Sequence, residues 1–153
     1  MKKVSITIPV YNEEFLICGS INKLRDFCEK NLQNYDWKII IGDNNSIDGT
    51  AGMAKKLENE SNGKIIYKFI PQKGKGLAIR ESWKSFDADF YIFMDADLAT
   101  DLSALPVLIM ELENGNGLVI GSRFIKGSSA KRSIARKITS KVFSVFTRLV
   151  FGL

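Results

Sequence analysis

Residues 90–101 read "FYIFMDADLATD". Five large apolar or aromatic side chains, Phe90 to Met94, ask for burial, and Asp95 and Asp97 follow with no loop between. A buried strand that hands two acids to its carboxyl end fits an open parallel sheet, in which ligands bind beyond the strand tips. The same arrangement recurs along the chain. "VSITIPV" (4–10) alternates Val4, Ile6, Ile8 and Val10 and runs into "YNEE"; "WKIIIG" (37–42) runs into "DNNS". "KIIYKFI" (64–70) leads to "QKGKG", and "LVIGSRF" (118–124) carries "GSR" at its end.

Helical spacing fills the intervals. Ile17, Ile21, Leu24 and Cys28 share one face, and "SIDGT" supplies turn and cap residues before a helix through Met53 and Leu57. Ile79, Trp83 and Phe86 predict a third helix, and Ser103–Asn114 a fourth. Strands alternating with helices predict an α/β fold, a Rossmann-like αβα sandwich on a mainly parallel central sheet. Residues 1–125 are read as one domain, and 126–153 as a basic amphipathic segment of the same domain.

The totals narrow the chemistry. The 153 residues contain no histidine, which excludes His-based triads and His metal sites. Carboxylates, cations, hydroxyls or metal must carry any catalysis. Cys18 and Cys28 stand roughly 15 Å apart along one predicted helix, too far to bridge, and are read as reduced core thiols. No apolar stretch approaches the ~20 residues of a bilayer span, and "MKKVSITIPV" lacks a signal-peptide core, so a cytoplasmic location is expected. Eight of the 22 Lys and Arg lie past residue 113, and none of the 17 Asp and Glu does. The first 113 residues therefore carry about −3 and the tail is basic. In that tail Ile134, Ile138, Val142, Val145 and Leu149 fall near one helical face, with Arg136, Lys137 and Lys141 largely off it. That pattern fits a helix lying in a membrane interface, or a terminal helix packed on further protein. No nucleic-acid-binding module is recognisable.

Each strand end offers candidates. On an extended segment Asp95 and Asp97 point to one side and can converge on Mg2+ or Mn2+, with ligand phosphate and water completing the shell. A turn capping the next helix through Asp101 or Ser103 is the plainer alternative. Lys75 and Gly76 precede a helix whose N-terminal amides favour anions, and Arg80 lies one turn further on; a solvated basic turn explains them equally well. Pro9, Tyr11, Asn12 and Glu13 close the first strand. Glu13 is placed to accept from a base or ribose, or is simply a first-turn helix acid. Asp43 and Asn45 end the second strand, where a carboxylate can hold a nucleotide edge. Arg123 is placed to clamp phosphate oxygens or to make a structural ion pair.

Together "IPVYNEE", "DNNSIDGT", "KGKGLAIRESW", "MDADLATDLSALP" and "IGSRF", in that order, resemble glycosyltransferase family 2 with the GT-A fold, in the variant of the polyprenyl- or dolichyl-phosphate mannosyl- and glucosyltransferases. The resemblance covers almost the whole chain. It implies a nucleotide-sugar donor, a divalent metal, and inverting transfer to a polyprenyl phosphate at the cytoplasmic face of a membrane. Pro9, Tyr11, Asn12, Glu13, Asp43, Asn45, Lys75, Gly76, Arg80, Asp95 and Ala96 would bind the donor. Asp95 and Asp97 would hold the metal, and Asp97, Asp101 and Arg123 would take part in catalysis. Ala99 stands where the mannosyltransferase branch often has a metal-contacting Gln, and Asn44 where a second acid is usual. The family pattern continues past "LVFGL", so 126–153 is expected to begin an acceptor or membrane region. A lipid phosphate, already anionic near neutrality, needs no strong base. A glycan hydroxyl acceptor is the alternative and would need one, with Asp101 the nearest. A sugar nucleotidyltransferase or a non-catalytic Mg2+-binding module are the remaining readings.

Overall fold

The computed structural model describes residues 1–121, and Met1–Val119 form one compact unit. The elements run β1 (Lys2–Val10), α1 (Ile17–Asn31), β2 (Tyr35–Asp43), α2 (Thr50–Asn59), β3 (Ile65–Phe69), α3 (Lys75–Trp83), β4 (Phe90–Phe93) and α4 (Ala104–Glu113). The four strands are all parallel in the order β3-β2-β1-β4. The order turns between β1 and β4, and the crevice beyond their carboxyl ends is where such sheets bind ligands.

The two faces of the sheet are built differently. Parallel register places Val4, Ile6, Ile8 and Val10 of β1 beside Trp37, Ile39, Ile41 and Asp43 of β2, all on one face. There α1 brings Ile17, Ile21, Leu24 and Cys28, α2 brings Ala54 and Leu57, and α4 brings Leu105 and Ile109 into one buried cluster. Filling about twenty such positions is the main favourable term in folding, at roughly 1.5–3 kcal/mol for each large side chain buried. Burial within this core pushes the Cys28 thiol up to about 12, with the neighbouring Glu29 adding to the effect. Both cysteines are free thiols, as expected.

The opposite face is thin and polar. Ser5 and Thr7 of β1, Ile40 and Gly42 of β2, and Ala78 and Ser82 of α3 are buried there. A Cβ on Gly42 would meet Ser82 Oγ at 2.4 Å and the Ala78 carbonyl at 3.4 Å. The expected α3 face of Ile79, Trp83 and Phe86 is therefore corrected. The helix buries its small residues, because only they admit this close approach, and the bulky ones lie at its flanks. Trp83 meets Tyr91 of β4 at 5.7 Å between ring centroids.

Two further expectations change. "FYIFM" is not a uniformly buried run: Ile92 is buried, whereas Phe93 is half exposed. Among the described residues β4 ends the sheet order, and its side chains alternate between the thick core and the thin face, Ile92 beside Ile6 and Phe93 beside Thr7. Residues 118–121 are not in a strand, and Leu118 is 83% exposed. The rest of the predicted fifth strand, Arg123, the 125/126 boundary and the tail helix lie outside the described residues.

Candidate active site

The carboxyl ends of β1, β2 and β4 and the start of α3 enclose an open cleft of about 300 Å3. It is lined by Pro9, Val10, Tyr11, Glu13, Asn44, Lys75, Asp95, Ala96 and Asp97. Segments almost ninety residues apart thus meet because parallel strands stack their carboxyl ends at one edge.

The wall from β1 and β2 is tied together. Asn12 N–H donates to Ser46 Oγ (3.0 Å) and Ile47 N–H donates to Asn12 Oδ1 (2.9 Å). Glu13 N–H donates to Thr50 Oγ1 (2.8 Å), whose hydroxyl in turn donates to Asp48 Oδ1 (2.5 Å). Glu14 N–H reaches Asp48 Oδ2 (3.3 Å), and Gly49 N–H donates to Glu14 Oε2 (2.8 Å). Asn12 and Asn45 hold φ of 54° and 64°, a left-handed region that Asn tolerates better than most residues. Burial pushes the Asp48 carboxyl up, but the Thr50 hydroxyl and N–H and the Glu14 N–H outweigh it and hold it below its ordinary value.

Asp43 is wholly buried. Its Oδ1 accepts from Ser46 N–H (2.9 Å) and its Oδ2 from the Tyr67 hydroxyl (2.8 Å). Burial first, and the Asp43 carboxylate second, raise the Tyr67 hydroxyl well above its usual range. Asp43 thus shapes the 44–47 turn, and it is Asn44 that reaches the cleft wall. Asn44 Oδ1 also accepts from Gly74 N–H (3.1 Å), which ties the second strand end to the start of α3. Gly74 has φ of 148°, a conformation that favours glycine.

The opposite wall is the acid pair. Residues 94–98 leave the strand and turn, so the expected extended geometry of Asp95 and Asp97 gives way to a turn. Leu98 N–H bonds the Asp95 carbonyl (3.1 Å) and Asp97 Oδ1 accepts from Ala99 N–H (3.0 Å). Both acids still line the same cleft, with Ala96 packed into the core between them. Lys75 Nζ contacts Asp95 Oδ1 at 2.5 Å, and both side chains are more than half exposed. Among the described residues no three Cys, Asp or Glu side chains cluster as a metal cage. The donor set is two hard carboxylates facing open space, with a cation already drawn to one of them. That set fits a divalent ion that takes its remaining ligands from substrate oxygens.

Other expected residues lie elsewhere. Asn12 serves the tie between the loops, and Asn45 and Gly76 do not line the cleft. Arg80 places its guanidinium against Glu81 (3.4 Å) on the exposed side of α3. Asp101 accepts from Ser103 N–H (3.0 Å) at the start of α4, and this bond holds its carboxyl below the ordinary value. The capping alternative therefore describes Asp101, whose lowered carboxyl is a weaker base. The sequence reading missed Val10 and Lys73. Lys73 Nζ donates to the Tyr11 hydroxyl (3.0 Å) and lies 4.9 Å from the centre of its ring, a cation–aromatic contact that only the fold assembles.

Comparison with known proteins agrees with this architecture. The dolichol-phosphate mannosyltransferase of Pyrococcus furiosus is 32% identical over 140 residues, which cover 91% of this chain and 38% of that protein. An undecaprenyl-phosphate 4-deoxy-4-formamido-L-arabinose transferase of Salmonella choleraesuis is 28% identical across 99% of this chain and 45% of its own length. The chain therefore spans less than half of these two relatives. Among solved structures, S. aureus TarS with UDP-GlcNAc superposes with a TM-score of 0.58 at 21% identity, covering 81% of this chain and 38% of TarS. The mannosyltransferase PcManGT of Pyrobaculum calidifontis, with GDP-Man and Mn2+, gives 0.52 at 19% identity, over 63% of this chain and 28% of its own. These structural likenesses bear out the expected Rossmann-like fold. The model of the glycosyl transferase family 2 matches residues 5–149, and the chain belongs to that family.

Proposed function

We propose that the chain carries the donor site of an inverting, metal-dependent glycosyltransferase that moves a hexose from a nucleotide-sugar to a polyprenyl phosphate. The observation that carries this reading is the meeting of Asp95 and Asp97 with Pro9, Tyr11, Glu13, Asn44 and Lys75 around one cleft. The relatives named for dolichol and undecaprenyl phosphate support the acceptor, and the GDP-Man and Mn2+ of PcManGT support the donor class and the metal.

In this reading Asp95 and Asp97 hold Mg2+ or Mn2+, which when bound neutralises the donor diphosphate as a Lewis acid. Glu13 accepts from the hydroxyl or N–H edge of the nucleoside, against the wall of Pro9, Tyr11 and Asn44. Lys75 supplies positive charge to the departing diphosphate, the point at which negative charge develops as the anomeric C–O bond breaks. Arg123 is the second such cation. The acceptor phosphate attacks from the opposite face of the sugar and inverts its configuration. Such a nucleophile needs no proton removed near neutrality, which accords with the capping role of Asp101 and with a chain that lacks histidine. The basic amphipathic segment 126–153 is assigned peripheral contact at the cytoplasmic face of a membrane. Among the described residues no helix is long and apolar enough to cross one.

The test is a thermal-shift panel of UDP- and GDP-sugars with and without Mn2+. A midpoint raised only by a nucleotide-sugar together with Mn2+ is expected, since ligands of the native state raise it by mass action. A panel without any such shift would remove the enzyme reading.

A further inference from the structure

Lys75 is the first residue of α3, placed by Gly74, whose amide is tied to Asn44 Oδ1. Its ammonium contacts Asp95 Oδ1 at 2.5 Å, directly on one of the two carboxylates available to a metal. Side-chain exposures of 58% and 61% mean that nothing packs this pair into place. A contact so exposed is weak and exchangeable. Among the described residues no third Cys, Asp or Glu clusters with the acid pair to reinforce it, Glu13 belonging to the β1 wall of the cleft. A divalent ion binding there without a nucleotide would have to displace Lys75 or share its oxygen at a cost in like-charge repulsion.

We propose that Lys75 is a gating counter-ion for the acid pair. It neutralises Asp95 in the donor-free protein, opposes binding of the metal alone, and transfers to the diphosphate when metal and nucleotide arrive together. This rests on the donor-site reading above and adds a coupling device to it. The ammonium sits on a long, flexible stem at the N-terminal end of a helix, where an incoming phosphate is also favoured by the backbone amides. Removing a competing cation and supplying a phosphate partner have opposite signs, so one side chain makes metal binding depend on nucleotide. Linkage makes the dependence reciprocal.

The experiment measures free Mn2+ by electron paramagnetic resonance for the full chain, Lys75→Met and Lys75→Arg, each alone and with saturating UDP or GDP. Lys75→Met is expected to bind Mn2+ alone about threefold to fivefold more tightly at low salt, the scale of one exposed ion pair. That gain should shrink as salt screens the charges. Addition of nucleotide should tighten Mn2+ binding less in Lys75→Met than in the wild type, with Lys75→Arg close to wild type. Unchanged or weaker binding of Mn2+ alone in a folded Lys75→Met protein overturns the proposal. An Asp97→Asn control separates the two levels. If it abolishes nucleotide-dependent Mn2+ binding while Lys75→Met changes nothing, only the counter-ion falls. If Asp97→Asn binds as before, the donor-site reading falls with it.

Discussion

The two walls of the cleft are held by different means. The β1 and β2 loops are bound to each other through Asn12, Glu13, Glu14, Ser46, Asp48, Gly49 and Thr50, mostly by backbone amides donating to side chains. After β4 the Met94 N–H still donates to the Thr7 carbonyl of β1 (3.0 Å). Beyond it the acid stretch shows, among the described residues, local bonds from Leu98 to Asp95 and from Ala99 to Asp97 and one exposed cation across the gap. The first wall is preorganised and the second is adjustable. A nucleoside edge needs fixed partners, whereas a metal–diphosphate unit brings its own charge and completes its own shell.

The comparison breaks first at the acid wall. Asp97→Asn should lower Mn2+-dependent UDP or GDP affinity by at least about 100-fold, since loss of even an outer partner of a metal ligand costs 10–100-fold. Isothermal titration measures it, and an unchanged affinity would separate these acids from the donor. Next comes the support beneath the preorganised wall. Gly42→Ala drives a Cβ into Ser82 and should cost about 1–3 kcal/mol in urea unfolding. Adding Ser82→Ala should recover part of the loss, because it removes the nearer of the two clashing atoms.

Smaller effects test the tie itself. Glu14→Ala removes the acceptor of Gly49 N–H and should cost about 1 kcal/mol in urea unfolding, leaving binding of Mn2+ alone at the far wall unaltered. Smallest is a pH effect at Asp48. Its carboxyl is held below the ordinary value in the folded chain, so the unfolded chain binds a proton first as pH falls. The stabilisation is complete above the unfolded value and is lost as pH drops through the folded one. Thermal midpoints should therefore decline below about pH 4, and less so in Asp48→Asn. Equal acid limbs would deny Asp48 this role.

How much was legible can be judged residue by residue. Alternation in "VSITIPV" and the apolar run "WKIIIG" gave the first two strands, and Ile17, Ile21, Leu24 and Cys28 gave the buried side of α1, because periodicity follows directly from backbone geometry. Pro9, Tyr11, Glu13, Lys75, Asp95, Ala96 and Asp97 reached the cleft as expected, since strand ends of a parallel sheet share one edge. Asp43, Arg80 and Asp101 did not. A carboxylate or guanidinium looks the same in sequence whether it serves a ligand, a turn or a neighbouring side chain.

The sequence by itself determined the element order from β1 to α4, the parallel sheet, the absence of histidine chemistry and the place of the acid pair after a strand. These follow from local periodicity and residue type. Only the tertiary structure decided that Asp43 is sealed under Tyr67, that α3 lies on Gly42 through its small residues, and that Lys75 rests on Asp95. Each of these depends on the distance between segments far apart in the chain. Such distances are set by packing of the whole sheet and helices, and no local pattern encodes them.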